Sequence, residues 1–243
     1  VVPETPAVPK AAPPPPATDS SSGRTHRDAR PLSLLYPGHF LRCYVYWKIR
    51  TDPLYPTVTR ALHSATDQPL MDLGCGAGLF AFYLKSRGYT GHIRGLDVDV
   101  EKIAAARAIA TQRWPDSDFQ PGDFATWDPG GHQGHVTFLD VLQYLSPELR
   151  HDLLCRAATC LTRPGHRLII RNGLSDDSWR ARVTHSTDHL ARWIRWMARS
   201  PRSHPTLAAL EAPLRASGLE VSSQPLWGAT PFNNYLVIAR RPA

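Results

Sequence analysis

A glycine-rich segment, Asp72-Leu-Gly74-Cys-Gly76-Ala-Gly78, holds the residues of this sequence with the clearest chemical use. It follows a short apolar run from Leu70 and precedes a second apolar stretch from Leu79. Glycines adopt backbone angles that other residues resist, and they let the backbone approach a ligand closely. The pattern therefore predicts a nucleotide-binding turn between a strand and a helix. A dinucleotide-binding GxGxxG pattern would need glycine at position 79, where the sequence has leucine.

A carboxylate, Asp97, ends the next apolar run, where a ribose-binding acid is expected in folds of this kind. A carboxylate can accept hydrogen bonds from both ribose hydroxyls. Asp99 and Glu101 follow at the start of a helical pattern, where acids cap the helix and complement its dipole. We therefore assign Asp97 to ribose and the other two acids to the helix.

The elements around these residues alternate between strand and helix, which indicates βαβ units and a mostly parallel sheet. Strands are predicted at 70–73, 92–97, 118–121, 136–141, 167–171, 219–226 and 234–240, with the last two as an antiparallel pair. Helices are predicted at 40–50, 54–65, 79–87, 100–113, 147–161, 177–199 and 205–217.

The composition fits a folded chain of ordinary domain size. Of 243 residues, 42% are hydrophobic and 20% are charged, which excludes a coiled coil or disorder throughout. Residues 1–31 are rich in Pro, Ala and Ser and predict a disordered tail. No membrane span or signal peptide is visible, so we expect a soluble, cytoplasmic protein. The four cysteines lack CxxC spacing, so we expect reduced thiols and no metal site.

The net charge of +7 admits nucleic acid or an acidic small molecule as a partner, although charge alone selects neither. Arginine and tryptophan alternate in the predicted helix at 177–199. This pattern favours a lid or packing helix. An acidic carrier protein or RNA are the alternative partners for it.

The glycine turn and its companions resemble the class I S-adenosylmethionine (SAM)-dependent methyltransferase family. Its first motif, D/E-x-G-x-G-x-G, is matched at every position from Asp72 to Gly78. The resemblance implies an α/β, Rossmann-like sheet of seven strands, mostly parallel with an antiparallel C-terminal strand. It also implies a helical cap at 32–66 and a SAM-dependent methyltransferase domain at 67–243, with a helical insert at about 174–217.

The resemblance also implies the residues that bind SAM. Asp97 and Val98 would hold the ribose, Asp123 would accept from the adenine amino group, and Phe124 would donate its backbone amide to the ring. Lys48 or Arg50 would reach the SAM carboxylate. The full set of implied cofactor-binding residues is Asp72, Gly74, Gly76, Gly78, Asp97, Val98, Asp123, Phe124 and Asp140.

Methyl transfer from a sulfonium needs positioning and exclusion of water more than acid–base chemistry. Where the acceptor is a phenol or an activated carbon, a base would help, and Asp140 and Tyr144 are the first choices. His39, His185 and His189 are further choices for this base. Asp140-Val-Leu-Gln stands where amino-directed nucleic-acid methyltransferases carry Asn/Asp-Pro-Pro-Tyr/Phe, so nucleic acid is not the expected acceptor.

Segments at the two ends, Tyr44 to Tyr55 and Pro225 to Leu236, resemble methyltransferases of bacterial aryl-polyene pigment gene clusters. That resemblance implies a hydroxyaryl or aryl-polyene precursor as acceptor, free or bound to an acyl carrier protein. Tyr144, Trp227, Phe232 and Asn233 are then the residues expected to contact it. An RNA methyltransferase and a non-catalytic SAM-fold partner subunit are the alternatives.

Overall fold

A computed structural model describes residues 29–175, 203–228 and 232–242. One sheet of seven strands organises them, in the order β3-β2-β1-β4-β5-β7-β6. Strands β1 to β5 are parallel, and β7 runs antiparallel to both β5 and β6. The strands are β1 (Leu70–Leu73), β2 (Ile93–Asp97), β3 (Ser117–Pro121), β4 (His135–Leu139), β5 (Leu168–Gly173), β6 (Glu220–Pro225) and β7 (Asn234–Arg240). The predicted mixed α/β sheet is confirmed.

Seven helices flank this sheet in the described ranges. They are α1 (29–33), α2 (His39–Thr51), α3 (Leu54–Leu62), α4 (Leu79–Ser86), α5 (Val100–Arg113), α6 (Pro147–Ala158) and α7 (Leu207–Ala216). Polar side chains start three of them: Asp99, Ser146 and Thr206 accept from backbone amides of the first turns of α5, α6 and α7. The expected capping role of Asp99 is confirmed. No helix among the described residues combines the length and apolar character needed to cross a bilayer.

Both faces of the sheet are covered, which explains why the central strands β1, β4 and β5 are almost entirely buried. In β5, Ile169 packs into the cluster under α2 to α5, while Leu168 and Ile170 point to the cluster under α6 and α7. This alternation follows the two-residue period of a strand. The packing fixes the carboxyl ends of β1, β2 and β4 side by side, where the glycine turn and Asp97 lie.

Several predicted bounds differ from the structure by one to three residues, and two differences from the sequence-based expectation have a clear structural basis. Strand β4 ends at Leu139 rather than at 141, because Asp140 has φ +61° and leaves the extended region. The helix α1 is not predicted from the sequence, and it overlaps the expected tail at 29–31, where Ala29 is fully buried. The predicted helix at 177–199 lies outside the described residues.

Candidate functional site

The glycine turn connects β1 to α4 with a backbone that side chains would obstruct. Gly74 has φ +82°, and a Cβ there would lie 2.3 Å from Cγ1 of Val141. Gly78, with φ +75°, starts α4, and a Cβ there would lie 2.8 Å from the Phe82 ring. Both positions therefore require glycine for conformation and for space. The turn brings backbone groups to the carboxyl edge of the sheet, where ligands bind in folds of this type.

Asp97, the last residue of β2, is tied to this turn. Its Oδ2 accepts from the backbone N–H of Gly76 at 2.8 Å, and its Oδ1 accepts from that of Asp99 at 2.9 Å. Each carboxylate oxygen can accept a further hydrogen bond. Since Asp97 and Val98 line the same cavity as the turn, the carboxylate is held in place with acceptor capacity to spare.

Asp72 lies beneath the turn and is buried, with 1% of its surface exposed. The hydroxyl of Thr137 donates to its Oδ1 at 2.6 Å. Burial, partly offset by this hydrogen bond, raises the pKa of Asp72 to about 7. The nearby charge of Asp97 is a smaller contribution to this raised pKa. Asp72 is therefore an acid whose protonation changes near neutral pH.

A cavity of about 270 Å³ lies over the turn. Its floor is formed by the turn and by the ends of β2 and β4, and its roof by α2 and the start of α3. Aromatic and aliphatic side chains make up much of the wall. The described lining consists of Tyr36, Leu41, Tyr44, Val45, Lys48, Leu54, Tyr55, Asp72, Gly74, Cys75, Gly76, Ala77, Leu79, Phe80, Asp97, Val98, Lys102, Phe124, Leu139, Asp140, Val141 and Tyr144.

Four charged side chains meet at one end of this cavity. Lys48 Nζ lies 2.8 Å from Oδ2 of Asp52, and Arg171 Nη2 lies 3.0 Å from the same oxygen. Arg171 also pairs through Nη1 with Oδ2 of Asp140. Burial alone would raise the pKa of Asp52, but the charges of Arg171 and Lys48 lower it to about 2. Asp52 is therefore ionised at all ordinary pH values.

Asp140 occupies an uncommon conformation at this end. A positive φ is rare for a residue with a side chain and costs free energy unless neighbours hold it. Here the backbone N–H of Asp140 donates to the carbonyl of Arg171 at 2.7 Å. The carbonyl of Asp140 accepts from Gln143 Nε2 at 2.8 Å. The 3₁₀ turn Leu142–Tyr144 then carries Tyr144 to the cavity wall. The two residues predicted as possible bases thus line the same cavity.

Other predicted site residues lie elsewhere. Asp123 is not part of the described lining, and its Oδ1 accepts from the N–H of Ala125 at 3.0 Å as a helix cap. Arg50 donates to the hydroxyl of Tyr46 and stacks over the rings of Tyr46 and Trp47, away from the cavity. Of the two cations predicted to reach the SAM carboxylate, Lys48 lines the cavity.

The predicted acceptor residues near the C-terminus also lie outside the described lining. Asn233 is 1% exposed, and its Nδ2 donates to the carbonyl of Leu174 at 3.0 Å. Trp227 contacts the ring of Tyr235 edge-on, and Phe232 is half-buried. The amide of Asn233 thus holds the end of β5 in this structure. Among the predicted contacts, only Tyr144 reaches the cavity.

Two groups of residues at the site were missed by the sequence analysis. Tyr36, Tyr55 and Phe80 line the cavity, and the Tyr36 hydroxyl donates to the carbonyl of Ala77 in the turn at 3.2 Å. Asp52 and Arg171 support the charged end from behind. The sequence did offer one indication that Arg171 has a special role, because it is a charged residue within a strand predicted to be buried. His39 is exposed beside Cys43, and His185 and His189 lie outside the described residues.

Comparison with known families adds independent information. Residues 70–165 match the family model described as "Methyltransferase domain". This range contains the glycine turn, Asp97, Asp140 and Tyr144. The helices that roof the cavity precede it.

Comparison with curated proteins finds trans-aconitate 2-methyltransferases. The protein of this name from Acidovorax ebreus (strain TPSY) is 28% identical over 158 residues, covering 58% of this chain and 57% of the relative. That from Acidovorax sp. (strain JS42) is 28% identical over 157 residues, with the same coverage. The chain thus matches little more than half the length of these relatives.

Solved structures share the fold at low identity. Magnesium protoporphyrin IX methyltransferase from Synechocystis PCC 6803, with bound SAM, superposes with a TM-score of 0.60 at 16% identity, covering 93% of this chain and 99% of that one. The [4+2]-cyclase SpnF superposes with a TM-score of 0.58 at 16% identity, covering 77% and 81%. The fold therefore occurs under more than one name, so similarity of fold alone assigns no activity. Residues 70–165 are thus similar to a methyltransferase domain, and the chain shares its fold with a SAM-bound methyltransferase.

Proposed function

We propose that this protein binds SAM in the cavity above the glycine turn and transfers its methyl group to a small molecule. The observation that carries the proposal is the joint geometry of the turn and Asp97. The carboxylate is fixed by the amide of Gly76 and keeps acceptor capacity on the cavity side. A ribose placed there would meet two acceptors, and the backbone at Gly76, where a Cβ would lie 3.9 Å from Cδ of Lys102, leaves room for close approach.

The rest of the cavity fits the remaining parts of SAM. Val98 and Phe124 offer apolar surface beside Asp97, which suits an adenine ring. Lys48 and Asp140 provide opposite charges at the other end, which suits the amino acid part. We assign Asp123 a capping role that orients the Phe124 segment, in place of a direct contact with adenine.

SAM supplies a methyl group that its sulfonium already activates for in-line displacement. The chain therefore has to bind and orient the acceptor, exclude water and receive a proton where the acceptor carries one. The roof residues Leu41 and Val45 provide a dry wall. Tyr144 and Asp140 stand at the cavity wall where an acceptor hydroxyl would need a hydrogen-bond partner or base. Both residues line the cavity, and Asp140 is also paired with Arg171.

The wall chemistry favours an aromatic acceptor over a tricarboxylate. Tyrosine and phenylalanine side chains from the roof and from α4 face the cavity. The cations within the described lining are Lys48 and Lys102, and each is paired with a carboxylate, at 2.8 Å to Asp52 and 3.1 Å to Asp99. Trans-aconitate, the tricarboxylate in the names of the curated relatives, would need several cations, whereas we assign Lys48 to the carboxylate of SAM, and Lys102 is paired with Asp99. We therefore propose a hydroxyaryl acceptor, free or delivered as an aryl-polyene precursor on an acyl carrier protein.

Methyl-labelled SAM tests this proposal directly. Purified protein is incubated with labelled SAM and, in parallel, hydroxyaryl acids, their thioesters, trans-aconitate or bulk RNA, and label is counted in each pool. Label in the aryl pools is the expected result. Label in trans-aconitate or RNA alone would refute the acceptor assignment. Absence of transfer to every pool, despite measurable SAM binding, would favour a non-catalytic SAM-binding role.

A matched pair of variants assigns the activity to the cavity. Asp97→Ala should abolish most of the transfer. Glu220→Gln changes an exposed carboxylate that pairs with Arg240 on the far edge of the sheet, and it should leave transfer unchanged.

A further inference from the structure

Asp52 and Arg171 form a buried ion pair behind the charged end of the cavity, and neither belongs to its described lining. We propose that they are positioning residues, which hold Lys48 and Asp140 apart as an oppositely charged pair that recognises the zwitterionic amino acid end of the ligand. The inference rests on the proposed binding of SAM and names the residues that build its amino acid subsite.

The inner pair joins the roof of the cavity to the sheet. Both side chains are only 6% exposed, and they meet at 3.0 Å. Asp52 follows the last turn of α2, and its Oδ1 accepts from the N–H of Leu54, the first residue of α3, at 3.0 Å. Arg171 belongs to β5 in the middle of the sheet. The salt bridge therefore fixes the junction of the two roof helices relative to β5.

The outer pair faces the cavity and is bound to the inner pair. Lys48 is 26% exposed and binds Asp52, while Asp140 is 35% exposed and binds Arg171. The Lys48 Nζ and the Asp140 Oδ2 are 3.9 Å apart, which is beyond hydrogen-bond distance. An ammonium has three donors and a carboxylate has several acceptor sites, so each outer group can still bind a ligand. An α-carboxylate beside Lys48 and an α-ammonium beside Asp140 would satisfy both.

The inner charges explain why the outer ones stay separate. Each outer group has an inner partner of opposite sign, so neither has to satisfy its charge through the other. Removal of the Asp52 charge would leave Arg171 and Lys48 without their shared carboxylate, and Lys48 would be drawn towards Asp140. Removal of the Arg171 charge would release Asp140 from its ion pair. In both cases the subsite would lose the arrangement that fits a zwitterion.

Two ligands distinguish this role from general support of the fold. S-adenosylhomocysteine carries the amino acid end, and 5′-methylthioadenosine lacks it. Their affinities are measured by calorimetry for the full chain and for Asp52→Asn and Arg171→Gln. We expect S-adenosylhomocysteine to bind about 10- to 100-fold more weakly to each variant, because contacts to charged groups are lost. Binding of 5′-methylthioadenosine should change by less than about threefold, the range of a minor contact.

Two further variants keep the test decisive. Asp116→Asn removes the carboxylate that pairs with the buried Lys85, away from the cavity, and it should leave both affinities unchanged. The double variant Asp52→Asn/Arg171→Gln removes both charges of the inner pair, so neither inner charge is left buried without its partner. It is the variant to measure where a single variant does not fold. It should show the same selective loss.

Equal weakening of both ligands, or no weakening of either, would overturn the positioning role. Failure of the unaltered protein to bind S-adenosylhomocysteine would instead overturn the proposed function on which this role rests.

Discussion

Replacing Asp72 with asparagine should stabilise the protein at pH 8 much more than at pH 5. The carboxyl group is buried beneath the glycine turn and accepts from the Thr137 hydroxyl. Asparagine has nearly the same shape, and its Oδ1 can accept the same hydrogen bond, but it carries no charge at any pH. The variant therefore removes the cost of ionising the buried group and little else.

The magnitude follows from the pKa of Asp72. Burial raises it to about 7 in the folded protein, against about 3.9 in an unfolded chain. The folded state thus favours the protonated form, so stability falls as the pH rises from about 4 to about 7 and stays low above it. At about 1.4 kcal/mol per pH unit, the cost of ionisation is about 1.5 kcal/mol at pH 5 and about 4 kcal/mol at pH 8. The advantage of asparagine should grow by about 2.5 kcal/mol between the two.

Urea unfolding of the two proteins at pH 5, 6, 7 and 8 measures this difference, and groups common to both proteins cancel in it. In thermal melts the same change corresponds to about 5 to 10 °C for a chain of this length. A difference that stays constant from pH 5 to pH 8 would refute the assignment of a raised pKa to Asp72. Thr137→Val provides a second check. Loss of the hydrogen bond that lowers the Asp72 pKa should move the pH-dependent window upwards.

Three further predictions concern the turn, the ribose contact and the opposite edge of the sheet. Asp97→Ala should weaken the binding of S-adenosylhomocysteine by more than about 100-fold in calorimetry, because two hydrogen bonds to a charged group are lost, and an unchanged affinity would exclude the ribose contact. Gly74→Ala should both destabilise the fold in urea and abolish ligand binding, because its Cβ would collide with Val141. Gly88 has φ +87°, and a Cβ there would have no atom within 4 Å, so Gly88→Ala should show only the cost of the backbone conformation. Equal destabilisation by Gly74→Ala and Gly88→Ala would argue against a collision with Val141. His135 is buried and accepts from the N–H of Arg167, and burial lowers its pKa to about 4. Stability should therefore fall as the pH drops from about 6.5 to about 4, by about 3 kcal/mol in the Asp72→Asn background, and His135→Gln should flatten this dependence in the same urea titration.

Local signals were enough to predict most of the fold. The bounds of β1, α5 and β7 follow from apolar runs with clear punctuation, and the structure has the predicted bounds for all three. The predicted end of β4 was wrong because its apolar pattern continues through Val141, while the backbone turns at Asp140. That turn depends on contacts with Arg171, a residue of the neighbouring strand. Single-sequence periodicity contains no information about such a tertiary contact.

Site residues that belong to a local sequence motif were predicted, whereas residues that depend on a partner distant in the sequence were not. The glycine turn and Asp97 lie at strand ends, so their spacing alone was enough to assign them a place at the cavity. Asp52 sits before a proline, where the sequence indicates only a helix break, and its importance depends on a partner at position 171. The predicted acceptor contacts at Trp227 and Asn233 rested on resemblance of short segments. In the structure, Asn233 supports the end of β5.

The floor and the roof of the cavity come from different stretches of the chain. The floor lies within residues 70–165, which match the methyltransferase family model, whereas α2 and the start of α3 precede that range. Under the proposed function, the floor binds the methyl donor, and the roof helices contact the acceptor. If residues 29–65 were exchanged between two proteins of this fold, the preference for the acceptor should follow the exchanged segment. The exchanged segment would have to include Asp52, because the salt bridge between Asp52 and Arg171 connects the roof helices to the sheet.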